Sequence, residues 1–184
     1  MSLELSAAAR RRLIEVARQA LGARVSGQRF VPEEGEAELQ RPAGAFVTVR
    51  RREDRELRAC VGRIDPSRPL IEAVAMAAAA AAAEDRRFVP LTAAELPLLS
   101  LEVSALGPLF EVLPDSVQVG LHGVLVSRGG HSGLLLPQVA VEHQWERETF
   151  LEQACRKAGL PPDTWSKPGC QIRVFTATLI TEED

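Results

Sequence analysis

The chain has 184 residues, of which 46% are hydrophobic and 26% charged. These fractions are close to those of ordinary globular proteins, and a chain of this length buries a large core without disulfides or a structural metal, which excludes collagen-like, disordered and cysteine-scaffold classes. The 22 basic residues against 25 acidic ones give a net charge of −3, without the cationic footprint of a dedicated DNA or RNA binder.

In chain order, Ser6 is placed to cap a first helix that runs to about Leu21, with Leu13, Val16, Ala17, Ala20 and Leu21 on one face and Gly22 as its stop. After a polar stretch from Ser26 to Gly44, two β-like runs, Ala45 to Arg50 and Glu56 to Ile64, flank the charged turn Arg51 to Arg55 and read as a hairpin. Ser67 or Asp65 then caps a helix over Leu70 to Ala83, whose alanines give high helix propensity and allow close packing. Thr92 and Glu95 have capping-box spacing for a short helical turn stopped by Pro97.

Leu98 to Leu106 alternates as a strand, with Leu99, Leu101, Val103 and Ala105 on one face and Ser100, Glu102 and Ser104 on the other. Val117 to Ser127 and Leu134 to Leu136 read as further strands around the turn Arg128 to Gly133. A helix from Arg147 to Ala158 closes at Gly159, and Gln171 to Ile180 is a final strand. Paired strands favour an α+β fold with a mainly antiparallel sheet, and no linker divides residues 1–184, so a single domain is expected.

The first residues carry charges throughout and have no secretory core, and no run reaches the ~20 apolar residues of a membrane span. Cys60, Cys155 and Cys170 are odd in number and widely spaced. They suit free thiols in a reducing cytoplasm, without a CxxC motif or metal-ligand spacing. No cofactor or metal is called for. All but two of the 22 basic residues are arginines, the exceptions being Lys157 and Lys167, and tyrosine is absent; this reads as compositional bias. The arginines at the hairpin turn alternate with acids and lack interleaved aromatics, so they read as a solvated turn.

The segment Leu57-Arg58-Ala59-Cys60-Val61-Gly62 is the most informative. Strand alternation puts Arg58, Cys60 and Gly62 on one face, so a cation would favour the thiolate and a glycine would leave room for a ligand. The competing reading is an inert core thiol, since cysteine is among the most buried residues. A nucleophile needs a base, and His122, His131 and His143 are the available histidines, with none paired to Cys60 by spacing. His122 falls within the predicted strand; His131 lies in a glycine-rich turn.

Four blocks in order, LRACVG at 57–62, EDRRFVPLTAAELPLLSLEVS at 84–104, VGLHGV at 119–124 and LLLPQVAVEHQWERETFLEQACRKAGLPPDTW at 134–165, resemble the motifs of the AMMECR-type domain. Its bacterial members are named for the AmmeMemoRadiSam system. The resemblance implies two β-rich repeats around a barrel-like sheet with helices packed outside. It also implies association with a Memo-like protein and a radical S-adenosylmethionine protein, and no established reaction. By position it brings Cys60, Arg58, Asp85, Arg87, His122 and Glu142 together as site residues. The sequence departs from the family pattern at Ala59, where glycine is usual, and at His143-Gln144.

Two functions follow as expectations. In the first, Cys60 is the nucleophile of a thiol-dependent enzyme on a small molecule, Arg58 and Arg87 orient an anion, and Asp85, Glu142 or His122 move protons. In the second, the same residues form the recognition surface of a non-catalytic accessory module. No nucleic-acid or membrane partner is expected.

Overall fold

A computed structural model describes residues 3–183. The fold is α+β, with helices α1 (Ala7–Val25), α2 (Leu70–Ala83), α3 (Pro137–Glu142) and α4 (Arg147–Lys157). The strands are β1 (Ala45–Arg51), β2 (Leu57–Arg63), β3 (Leu99–Leu106), β4 (Phe110–Glu111), β5 (Gly123–Arg128), β6 (His131–Leu135), β7 (Gln171–Phe175) and β8 (Ala177–Thr181). They form two four-stranded sheets, ordered β2-β1-β3-β8 and β4-β7-β5-β6. The barrel-like sheet implied by the resemblance is not confirmed, because among the described residues the pairings fall in these two sheets and close neither of them. No helix among the described residues is long and apolar enough to cross a membrane.

Two compact units divide the chain: residues 3–106 with 178–183, and residues 107–177. In the first unit, α1 begins where expected, with Ser6 Oγ accepting from the Ala9 N–H at 3.2 Å. It passes through Gly22, at which an added side chain would meet open space, and ends at Val25 with Ser26 as its cap and Gly27, φ 71°, turning the chain beyond it. One glycine costs a helix about 1 kcal/mol, less than the burial of Leu13, Val16, Ala17, Ala20 and Leu21 on the face that joins the core.

The hairpin β1–β2 is antiparallel, as is the β1–β3 pair. Their inward residues Val47, Val49, Ala59, Leu99, Leu101, Val103 and Ala105 join α1 and the alanines of α2 in one core. Helix α2 spans the expected residues, but neither Ser67 nor Asp65 caps it. The Leu70 N–H instead donates to the Arg41 carbonyl, so a neighbouring segment satisfies an end group that a side chain usually takes.

In the second unit the helix over Arg147–Lys157 stands as expected, and its Phe150, Leu151, Ala154 and Cys155 pack with Val124, Val126, Ile172 and Val174 of the sheet. The strand expected from Val117 begins only at Gly123. Gly120, at φ 84°, turns the chain, and the His122 N–H donates to the Gln118 carbonyl, so apolar alternation here marks a loop. The expected final strand is broken at Thr176 into β7 and β8, which belong to different sheets. Gly133 of β6 is packed against the backbone of α4: a Cβ there would lie 2.4 Å from the Ala154 oxygen and 2.5 Å from the Ala158 nitrogen. Replacement by alanine must push helix and sheet apart. Gly133→Ala is expected to cost about 1–3 kcal/mol in urea unfolding, whereas Gly22→Ala is expected to be neutral or stabilising.

Candidate functional site

Alternation places Thr48 of β1 opposite Cys60 on one side and opposite Glu102 of β3 on the other. The three side chains therefore share one row on the sheet face turned away from the helices. The Thr48 hydroxyl donates to Cys60 Sγ at 3.3 Å. Thr48 is 4% exposed, and Cys60 is half-buried.

Strand β2 is the edge of its sheet, so the outward peptide groups of Cys60 must find partners elsewhere. They find them in the segment after α2. Asp85 Oδ2 accepts the Cys60 N–H at 2.9 Å, and Arg87 Nη2 donates to the Cys60 carbonyl at 3.4 Å. Asp85 and Arg87 are in turn joined by three hydrogen bonds, Nε to Oδ1 at 2.9 Å, Nη2 to Oδ2 at 2.7 Å and the Arg87 backbone N–H to Oδ1 at 3.2 Å. The pair thus occupies the place of a neighbouring strand for one residue.

The Arg87 hydrogen bond outweighs the desolvation that opposes it and, with the Cys60 N–H, lowers the Asp85 carboxyl from 3.8 to about 2. The Asp85 hydrogen bond likewise raises the Arg87 guanidinium. The Arg87 side chain remains 57% exposed and lies over the Phe88 ring at 5.3 Å. The hydrogen bonds of its guanidinium use Nε and Nη2, which leaves Nη1 as the donor available to an incoming anion.

Arg58 has a different place from the one expected of it. Its side chain is 14% exposed, pairs with Glu95 at 2.8 Å and donates to the Val89 carbonyl at 3.3 Å. Glu95 is itself held by the Thr92 N–H and hydroxyl, at 2.8 and 2.9 Å, which is the reaching-back half of the capping box read from the sequence. The following helical turn is a 3-10 turn over Leu96–Leu98 that contains Pro97. Burial works against ionisation of Glu95, but these hydrogen bonds prevail and hold its carboxyl below the ordinary range. Arg58 therefore braces the segment that carries Asp85 and Arg87.

The room expected above Gly62 is filled. A Cβ there would lie 2.2 Å from the Ala45 oxygen and 2.5 Å from Phe46 Cγ, so this glycine admits the neighbouring strand. Glu102 was not read from the sequence as a site residue. It is 9% exposed, and its Oε1 pairs with both Arg50 and Arg55. Thr48, Glu95 and Glu102 gain their places only through strand register and the return of the chain after α2.

His122 and Glu142 belong to the second unit. His122 Nδ1 accepts the Gln118 N–H at 3.1 Å, which leaves the ring proton on Nε2, and burial pushes the imidazole down, so the ring is neutral at pH 7. Glu142 is exposed at the end of α3, and His143 stacks on Trp145 at 4.6 Å. His131 is exposed at the start of β6. Burial pushes the thiols of Cys155 and Cys170 up. Among the described residues, no three histidine, cysteine or acidic side chains group as a metal would require.

The sequence profile of the AMMECR1 family matches residues 14–180. Protein MK0488 of Methanopyrus kandleri is 41% identical over 181 residues, covering 94% of this chain and 87% of the relative. Protein TK0174 of Thermococcus kodakarensis is 43% identical over 182 residues, covering 93% and 89%. The crystal structure of the uncharacterized protein PH0010 from Pyrococcus horikoshii is similar with a TM-score of 0.87 at 38% identity, covering 91% of this chain and 88% of that one.

The Asp85 geometry sets a pH dependence. Its folded-state value lies below the unfolded one, so the stabilisation is fully present above about pH 4 and is lost as the pH falls through about 2. Asp85→Asn keeps one acceptor for the Cys60 N–H but loses the charge. It is expected to cost about 1–2 kcal/mol at pH 7, less than the whole shift because Arg87 is exposed, with the gap to the wild type closing below pH 3 in denaturant titrations.

Proposed function

This chain belongs to the AMMECR1 family, and from that membership we propose that it is the thiol-bearing component of a cytoplasmic multi-protein system containing a Memo-like and a radical S-adenosylmethionine protein. Residues 1–184 act as one AMMECR-type domain. Cys60 is the nucleophile, and its substrate is a small molecule with an anionic group beside an electrophilic carbon. Arg87 meets the anion through Nη1, while Arg58 and Asp85 hold the protein around the sulfur.

One observation carries this reading: Asp85 and Arg87 hold the outward N–H and carbonyl of Cys60, while the residue stays half-buried with its sulfur beside a hydroxyl. The other two thiols are pushed up by burial, so they are the poorer nucleophiles.

A second reading, the non-catalytic accessory module, draws on a different observation. Asp85 and Glu95 are both tied to arginines, which leaves neither carboxylate free as a base for the sulfur.

Iodoacetamide at pH 7.5, followed by peptide mass spectrometry, is expected to modify Cys60 at least about tenfold faster than Cys155 and Cys170. Cys60→Ser is then expected to abolish turnover by the assembled proteins while leaving their co-purification intact. An inert Cys60 rejects the nucleophile. Turnover that survives Cys60→Ser, with weakened binding to the two partner proteins, establishes the accessory role instead.

A further inference from the structure

We propose that Thr48 is a positioning residue for the Cys60 sulfur, its hydroxyl donating a hydrogen bond that strengthens when the thiol becomes a thiolate. The inference rests on the reading of Cys60 as a nucleophile and names what sets its reactivity. A thiol can donate or accept, whereas a thiolate only accepts, and a hydrogen bond to the charged form is the stronger. Removing the hydroxyl therefore weakens the reactive form most.

Three features make Thr48 the donor. Strand register puts it directly opposite Cys60 with Oγ1 3.3 Å from Sγ. At 4% exposure it lies where water does not readily replace a lost hydroxyl. The Asp85–Arg87 pair fixes the Cys60 peptide from its other side, so the sulfur is delivered to that hydroxyl from a held backbone.

The charged groups that share the sulfur's face of the sheet are Arg50 of β1, Arg58 of β2 and Glu102 of β3, and Asp85, Arg87 and Glu95 reach β2 from the segment after α2. Each acid among them has an arginine: Glu102 has Arg50 and Arg55, Glu95 has Arg58, and Asp85 has Arg87. Arg87 also acts on Cys60 through its charge, but the directed hydrogen-bond donor on Sγ is the Thr48 hydroxyl.

The test is the rate of iodoacetamide alkylation at Cys60, followed site by site across pH 6 to 10 in the full chain, with Thr48→Val, Thr48→Ala and Thr48→Ser beside the wild type. Valine preserves the branched shape, alanine guards against a packing artefact, and serine restores the hydroxyl. Circular dichroism confirms that each variant is folded. The valine and alanine variants are expected to move the pH midpoint of alkylation up by about one unit and to slow the reaction at pH 7 about tenfold, with serine close to the wild type. A reactive Cys60 whose profile is unchanged in both hydroxyl-free variants, or a serine variant that behaves like valine, overturns the role of Thr48 and leaves the nucleophile standing. A wild-type Cys60 that resists alkylation at every pH overturns the nucleophile, and this inference with it.

Discussion

Two-faced alternation along β1, β2 and β3 governs most of what this chain can do. Val47, Val49, Ala59, Leu101 and Val103 must leave water, and they do so against α1 and α2. A strand offers its next residue to the opposite face, so Thr48, Cys60 and Glu102 are carried together to the other side. A one-residue slip would bury that row in hydrocarbon and put the valines where the thiol now stands. The core thereby fixes the register, and the register assembles the site.

The charges were easier to find in the sequence than to interpret. Arg58 and Arg87 occupy the same stretch of structure and have opposite uses: one is nearly buried and spent on Glu95, the other is exposed with part of its guanidinium open. A sequence marks both as permanent cations. Only the return of the chain after α2 decides which carboxylate each one meets, because that return brings residues 85–95 back to a strand 25 to 37 positions earlier.

Elements held by local patterns were legible. The face of α1, the hairpin, the alanine helix and α4 follow from periodicity and turn chemistry, and each stands where periodicity puts it. The differences arise where a non-local term prevails. Packing carries α1 through Gly22, a backbone carbonyl replaces the expected cap of α2, and Gly120 turns a segment whose alternation looks like a strand. For the site, Cys60, Asp85 and Arg87 could be picked out as a group, but Thr48 has no signal of its own. A threonine in a strand is ordinary, and its meaning comes from the residue across the ladder.

The Asp85–Arg87 pair also bears on how the protein behaves among copies of itself. An uncovered edge strand is a template on which another chain can pair, and natural sheets protect such edges with charge or with covering segments. Here the carboxylate and guanidinium sit on the peptide of Cys60, near the middle of β2, and take the hydrogen bonds that an invading strand would need. The residues that frame the thiol therefore also guard solubility, so selection against aggregation would preserve them even in a lineage that had lost the chemistry.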